Sequence, residues 1–218
     1  MEWPLLAGLS DLERRDVLAA ARRRRFARNE VVCHAGDSAD SIHLVTSGHL
    51  SVRVTLATGD TALINILGPG GYFGELALLR ADGHRTATVT ALEPTETLVL
   101  SSGAFRKLCE RHPEVERSMT TMLADRIEEL SQRLLESMYV GLDRRLYRRL
   151  ADLADQYAGE EVPVTIPFTQ SQLADLAGGT RPSVNQALQR LVDQGIVTVG
   201  RGRVEVLDRA RLSAKAGQ

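Results

Sequence analysis

Between residues 114 and 140 the chain contains neither glycine nor proline, and no other stretch restricts the fold as much. Within it Leu123, Ile127, Leu130 and Leu134 follow at intervals of 4, 3 and 4. That spacing lays an apolar stripe along a helix and suits a coiled coil. Glu128, Glu129, Gln132 and Arg133 occupy flanking positions. A helix this long is rarely covered by its own small domain, and a second copy of the chain would bury the stripe. The segment 114–142 therefore reads as a dimerisation helix, with Gly141 as a hinge.

The texture before this helix is different. Ser10 and Glu13 have the spacing of a capping box ahead of Leu12, Val17, Leu18 and Ala21, so the chain opens with a helix. Arg22 to Arg25 then reads as a basic, solvated helix end. From Phe26 to Leu100 short β-type runs around Val31, Ile42, Leu50, Leu63, Ala87 and Thr97 alternate with turn signals such as Gly36-Asp37, Gly59-Asp60 and Gly68-Pro69-Gly70-Gly71. Many short strands at even spacing predict an antiparallel barrel or roll. Phe105 and Leu108 mark a short helix that ends at His112-Pro113.

After Gly141 a further helix carries Leu146, Leu150 and Leu153 and ends near Gly159; the run from Val162 to Phe168, with Pro163 and Pro167, leaves room only for a short or edge strand. Thr169 then caps a short helix, Gly178-Gly179 forms a turn, and Thr180 caps a second helix with Pro182 in its first turn. Two short helices around a glycine turn describe a helix-turn-helix. Arg181, Ser183, Asn185 and Gln186 lie where this motif enters the major groove. Arg suits guanine, and Asn and Gln suit adenine. Thr169, Ser171, Thr180 and Arg190 are candidate phosphate partners. Two β-type runs flanking Gly200-Arg201-Gly202-Arg203 complete a wing, with Arg201 and Arg203 at its tip.

A second motif is Phe73-Gly74-Glu75-Leu76 followed by Arg85-Thr86. Gly74 lets backbone approach a ligand. Arg85 offers forked donors to a phosphate, Thr86 adds a hydroxyl, and Glu75 can accept from a sugar hydroxyl.

At these residues the chain resembles the cyclic-AMP receptor protein/fumarate-nitrate regulator (CRP/FNR) family of bacterial transcription factors, over nearly its whole length. The resemblance implies an α+β chain in three parts. A cyclic-nucleotide-binding β-roll of double-stranded jelly-roll type spans 1–113, a coiled-coil dimerisation helix 114–142, and a winged helix-turn-helix 143–218. It implies that Gly74, Glu75, Leu76, Arg85 and Thr86, with Phe73 beside them, hold the sugar-phosphate of a cyclic nucleotide. Arg126, Leu130 and Ser131 would face the base. Cyclic AMP is the expected effector and a palindromic double-stranded operator the expected target of a homodimer; RNA polymerase joins them as a partner compatible with such a regulator. Leu130-Ser131 stands where the family's cyclic-AMP sensors carry Thr-Ser, and Thr86 where the best-known member has Ser. These departures keep cyclic GMP, another metabolite or constitutive binding as alternatives. Pro182 and Gln186 depart from that member's recognition helix, so an altered half-site is expected.

Other classes fit poorly. The net charge is −1, and no run nears the roughly 20 apolar residues of a membrane span. With no secretory leader in the first residues, a cytoplasmic protein is expected. Cys33 and Cys109 form no CxxC pair and suit neither a disulfide framework nor a metal centre; a redox switch built on them is the remaining alternative. His34, His43, His49, His84 and His112 have no context that would ligate haem. No catalytic triad, metal-ligand pattern or phosphate-binding Walker motif is present, so neither enzymatic activity nor a bound cofactor is expected.

Overall fold

The computed structural model of the chain describes residues 3–57, 59, 61–79, 83–158 and 163–217. Asp60, Gly159 and Val162, which entered the turn, helix-end and strand expectations above, lie outside them. The chain divides into two compact units, Met1–Glu128 and Glu129–Gln218, and the division falls within the long helix.

The first unit begins with a 3-10 turn (Pro4–Leu6) and helix α1 (Asp11–Ala20). The Glu13 N–H donates to Ser10 Oγ and the Ser10 N–H donates to the Glu13 carboxylate at 2.9 Å, so the capping box is closed in both directions. Then follow β1 (Arg22–Phe26), β2 (Val31–Cys33), β3 (Ser41–Ser47), β4 (Leu50–Thr55), β5 (Thr61–Leu67), β6 (Tyr72–Phe73), α2 (Glu75–Leu79), β7 (Thr88–Ala91), β8 (Thr95–Ser101), α3 (Ser102–Arg111) and α4 (Pro113–Tyr139). The strands make two antiparallel four-stranded sheets, ordered β1-β8-β3-β6 and β2-β7-β4-β5.

Side chains alternate across a strand, and that alternation builds two cores. Ile42 and Leu44 of β3 join Leu98, Leu100, Phe105, Leu108 and the N-terminal Trp3, Leu5 and Leu6 in a layer between sheet and helices. Val45 faces the other way, with Phe26 and Phe73, onto Leu50, Val89 and Ala91 of the second sheet. The two sheets thus face each other over a small apolar interior.

The arginine run corrects one expectation. Arg22 to Arg25 are not a helix end but most of strand β1, paired in register with β8 from Arg22↔Val99 to Phe26↔Thr95. Backbone hydrogen bonds hold this strand whatever its side chains are. Arg23 and Arg25 point to one face and share Glu96, at 2.6 and 3.0 Å, which relieves the charge repulsion along the run.

The second unit contains the end of α4, then α5 (Leu142–Tyr157), β9 (Val164–Ile166), α6 (Gln170–Ala177), α7 (Arg181–Asp193), β10 (Val197–Gly200), β11 (Arg203–Val206) and α8 (Arg209–Gly217). Its sheet is ordered β10-β11-β9. Leu146, Leu150, Leu173, Val184 and Leu188 are buried at its centre. Helix α8 gave little sequence signal; Leu212 and Ala216 bury one side of it, and the Ala216 carbonyl accepts from Arg148 Nε at 2.9 Å.

Candidate functional site

Two sets of residues are brought together, one in each unit. In the first, short backbone bonds place Arg85. Its N–H donates to the Asp37 carbonyl and its carbonyl accepts from the Gly36 N–H, both at 2.8 Å, and the Ala39 N–H donates to the Gly83 carbonyl at 2.7 Å. The side chain turns inward and is only 8% exposed. Nη2 donates to Ser41 Oγ at 3.1 Å, and the guanidinium lies 5.8 Å from the Phe73 ring centroid. Nη1 is buried without a hydrogen-bond partner, and no carboxylate lies within ion-pair distance of Arg85 among the described residues. A buried cationic donor without a partner from its own chain is costly and well suited to an anion.

Gly74 makes the space for this guanidinium. Its φ is +99°, and a Cβ there would lie 2.1 Å from Arg85 Nη1 and 2.7 Å from the Ser41 carbonyl oxygen. Only glycine meets both demands. Glu75 follows as the first residue of α2. Burial raises its carboxyl above the ordinary range, with the charges of Arg126 and Arg85 pulling the other way. Phe73 is buried and stacks on His43, centroids 4.5 Å apart. His43 in turn shares a 3.1 Å hydrogen bond with Thr97 Oγ1. Desolvation, then the Arg85 and Arg24 charges, pull its pKa down to about 3, so this ring is neutral at physiological pH. Leu76 and Thr86 are exposed.

Phe73, Gly74, Glu75 and Arg85 therefore converge, with Arg126 near enough to act on Glu75. Leu130 and Ser131 lie beyond the division, in the second unit, where both are exposed. Sequence reasoning missed Ser41 and His43. Each sits in β3, more than forty residues from its partner (|i−j| of 44 and 54), and no local pattern marks them.

In the second unit, α6 and α7 meet at Gly178, which ends α6 in the left-handed conformation at φ 64°. Thr169 Oγ1 accepts from the Gln172 N–H and Thr180 Oγ1 from the Ser183 N–H, at 3.2 and 3.4 Å. Both threonines are thus N-caps. Val184, Ala187, Leu188 and Leu191 bury one face of α7, which leaves Arg181, Asn185 and Gln186 exposed and Ser183 partly so. Gln170 Nε2 donates to Asn185 Oδ1 at 2.9 Å, and Ser171 is exposed. The β10–β11 hairpin turns at Arg201-Gly202, with Gly202 at φ 72°. Arg190 pairs with Asp143, and Arg203 with Glu205 at 2.8 Å; each is held by its own chain here. Among the described residues no cluster of His, Cys, Asp or Glu could hold a metal, and no helix is long and apolar enough to cross a membrane.

A cradle built around a buried arginine whose Nη1 has no hydrogen-bond partner and a winged helix-turn-helix with a polar outer face define a class of protein: ligand-responsive regulators that bind DNA. Comparison with known proteins makes this specific. Residues 23–112 match the cyclic nucleotide-binding domain and residues 144–215 the Crp-like helix-turn-helix domain. The chain is 32% identical to the cyclic AMP receptor protein of Thermus thermophilus over 96% of its length and 94% of the relative's. It is 31% identical to the HTH-type transcriptional regulator Cmr of Mycobacterium tuberculosis, over 96% of this chain and 83% of that one. The crystal structure of the Thermus thermophilus catabolite activator protein matches with a TM-score of 0.57 at 31% identity, covering 98% of both chains. The chain belongs to the CRP/FNR family of transcription regulators, and it is a transcription factor rather than an enzyme.

Proposed function

We propose that this chain is a homodimeric regulator that binds cyclic AMP between its facing sheets and a palindromic operator through its two recognition helices. The buried, unpartnered Arg85 Nη1 in the space left by Gly74 carries this reading. In the proposed complex Arg85 donates in a fork to the cyclic phosphate, with Thr86 adding its hydroxyl. Glu75 accepts from the ribose, Phe73 and Leu76 pack against the ligand, and Arg126, Leu130 and Ser131 serve the base.

The α4 stripe supports the dimer: Ile127, Leu130, Leu134 and Met138 are 67%, 47%, 62% and 63% exposed, an apolar strip that one chain leaves in water. In a coiled coil these residues would be covered. Arg181, Ser183, Asn185 and Gln186 would read bases, while Thr169, Ser171, Thr180, Arg190, Arg201 and Arg203 would meet phosphates. For the last group, Arg190 and Arg203 would first leave Asp143 and Glu205.

Calorimetric titration of nucleotide-stripped protein with cyclic AMP and, in parallel, cyclic GMP tests the ligand. Micromolar or tighter binding of cyclic AMP that is lost in Arg85→Ala is expected. Preference for cyclic GMP would reassign the effector, a reading that Thr86 favours. Absence of heat and of a thermal shift with both would refute a cyclic-nucleotide sensor.

A further inference from the structure

Gly141, read from sequence as a hinge, stands in a corner that the side chains around it lock. It N-caps α5 with an ordinary φ of −58°, and a Cβ there would meet nothing within 4 Å. Four residues on, the Arg145 guanidinium lies between the C-terminal ends of two helices. Nη1 donates to the Ser137 and Val140 carbonyls at the end of α4, at 3.2 and 3.0 Å. Nε and Nη2 donate to the Ala177 and Gly178 carbonyls at the end of α6, both at 3.0 Å. Helix ends leave carbonyls without intrahelical partners, and these ends carry partial negative charge. One planar cation with five N–H groups here satisfies carbonyls at both ends.

The surroundings reinforce the lock. Leu142 packs so closely on the turn that a Cβ on Gly179 would lie 2.5 Å from its Cδ1. One turn further along the same face of α5, Glu136 of α4 accepts from Arg148 and Arg149 at 2.7 and 3.0 Å. Tyr147 of α5 donates to the Ala187 carbonyl within α7 at 3.3 Å.

We propose that Arg145 is a positioning residue that makes the end of α4 and the helix-turn-helix turn move as one piece, so that a shift of the dimer helix reaches the recognition helix. This rests on the reading of ligand-controlled DNA binding given above. A lysine at 145 keeps the charge but, as a point donor, cannot span carbonyls on two helices. Glycine at 141, by contrast, serves no strained conformation.

Hydrogen exchange on the full-length chain tests the lock without any ligand. In Arg145→Lys the amides of Val140 and of Gly178 and Gly179 are expected to exchange together about ten-fold faster, as a local opening. Those of β10 and β11 should be unchanged. Arg145→Gln, which keeps fewer donors, serves if the lysine variant fails to fold. Gly141→Ala should match wild type. Unchanged exchange at either helix end in both position-145 variants would overturn the proposal.

The functional arm compares affinity for a selected DNA fragment with and without cyclic AMP. The nucleotide-dependent gain, about 5–150-fold for couplings of ordinary size, should fall toward one in Arg145→Lys while nucleotide affinity stays at the wild-type level. A full gain in that variant, or a gain lost in Gly141→Ala instead, would also overturn it. Failure of wild type to respond to nucleotide would refute the sensor reading instead, and the exchange result alone would then decide the role of Arg145.

Discussion

At the scale of single residues, the proposed ligand cradle is built against its own stability. Glu75 is partly buried and its carboxyl is raised from an ordinary value of 4.5. The unfolded chain therefore ionises this group at lower pH than the folded one, and stability is lost as pH rises through the folded pKa. Glu75→Gln is expected to raise the melting temperature of the ligand-free protein at pH 7 and to weaken nucleotide binding. A variant with lowered stability would show that ionised Glu75 has a compensating partner. His43 behaves in the opposite sense. Its folded pKa is about 3 against an ordinary 6.5, so below pH 6.5 the unfolded state takes up the proton first and stability falls as pH drops toward 3. His43→Phe should flatten that slope in denaturant titrations run between pH 7 and pH 4; an unchanged slope would mean other groups set it. Gly74→Ala should cost about 1–3 kcal/mol from the backbone conformation alone and also displace Arg85, whose Nη1 occupies the space the methyl needs.

At the scale of elements, the recognition helix depends on its cap. Thr180→Ala is expected to destabilise the second unit by about 1 kcal/mol, measurable by urea denaturation, with no change in nucleotide affinity. Arg181→Ala should instead cost on the order of 1–3 kcal/mol at the cognate site and relax preference at one base pair; equal loss on every DNA sequence would make Arg181 a phosphate contact. These elements were legible because their signals are local: a Thr cap, a glycine turn and an apolar face at helical spacing lie within a few residues of each other. The alternating strands were legible for the same reason. Strand β1 was not, because its arginines carry no apolar alternation and its pairing partner β8 is remote in sequence, 71 residues separating Arg25 from Glu96. Helix α8 is held chiefly by Leu212 and Ala216, too few apolar residues to mark a period. In the cradle, Gly74 and Arg85 were legible from their motifs, whereas Ser41 and His43 became visible only when β3 was folded against them.

At the scale of the whole molecule, the long helix packs Leu123 on the core of the first unit but leaves Ile127, Leu130, Leu134 and Met138 exposed. Leu134→Lys should shift the protein from dimer to monomer in sedimentation velocity, since a charge on the seam cannot be buried unpaired. A dimer of unchanged stability would place the interface elsewhere. In the proposed dimer, two-fold symmetry would set the DNA: recognition helices about one helical turn apart, near 34 Å, would call for a palindromic site. Movement of the dimer helix helps only if ligand favours one arrangement over the other. The most direct measurement is the affinity of nucleotide-stripped, full-length protein for a site selected from random DNA, taken by fluorescence anisotropy with and without saturating cyclic AMP. A two-fold symmetric site bound more tightly with cyclic AMP, the gain vanishing in Arg85→Ala, is the predicted result. Equal affinity in both conditions would contradict nucleotide control of DNA binding.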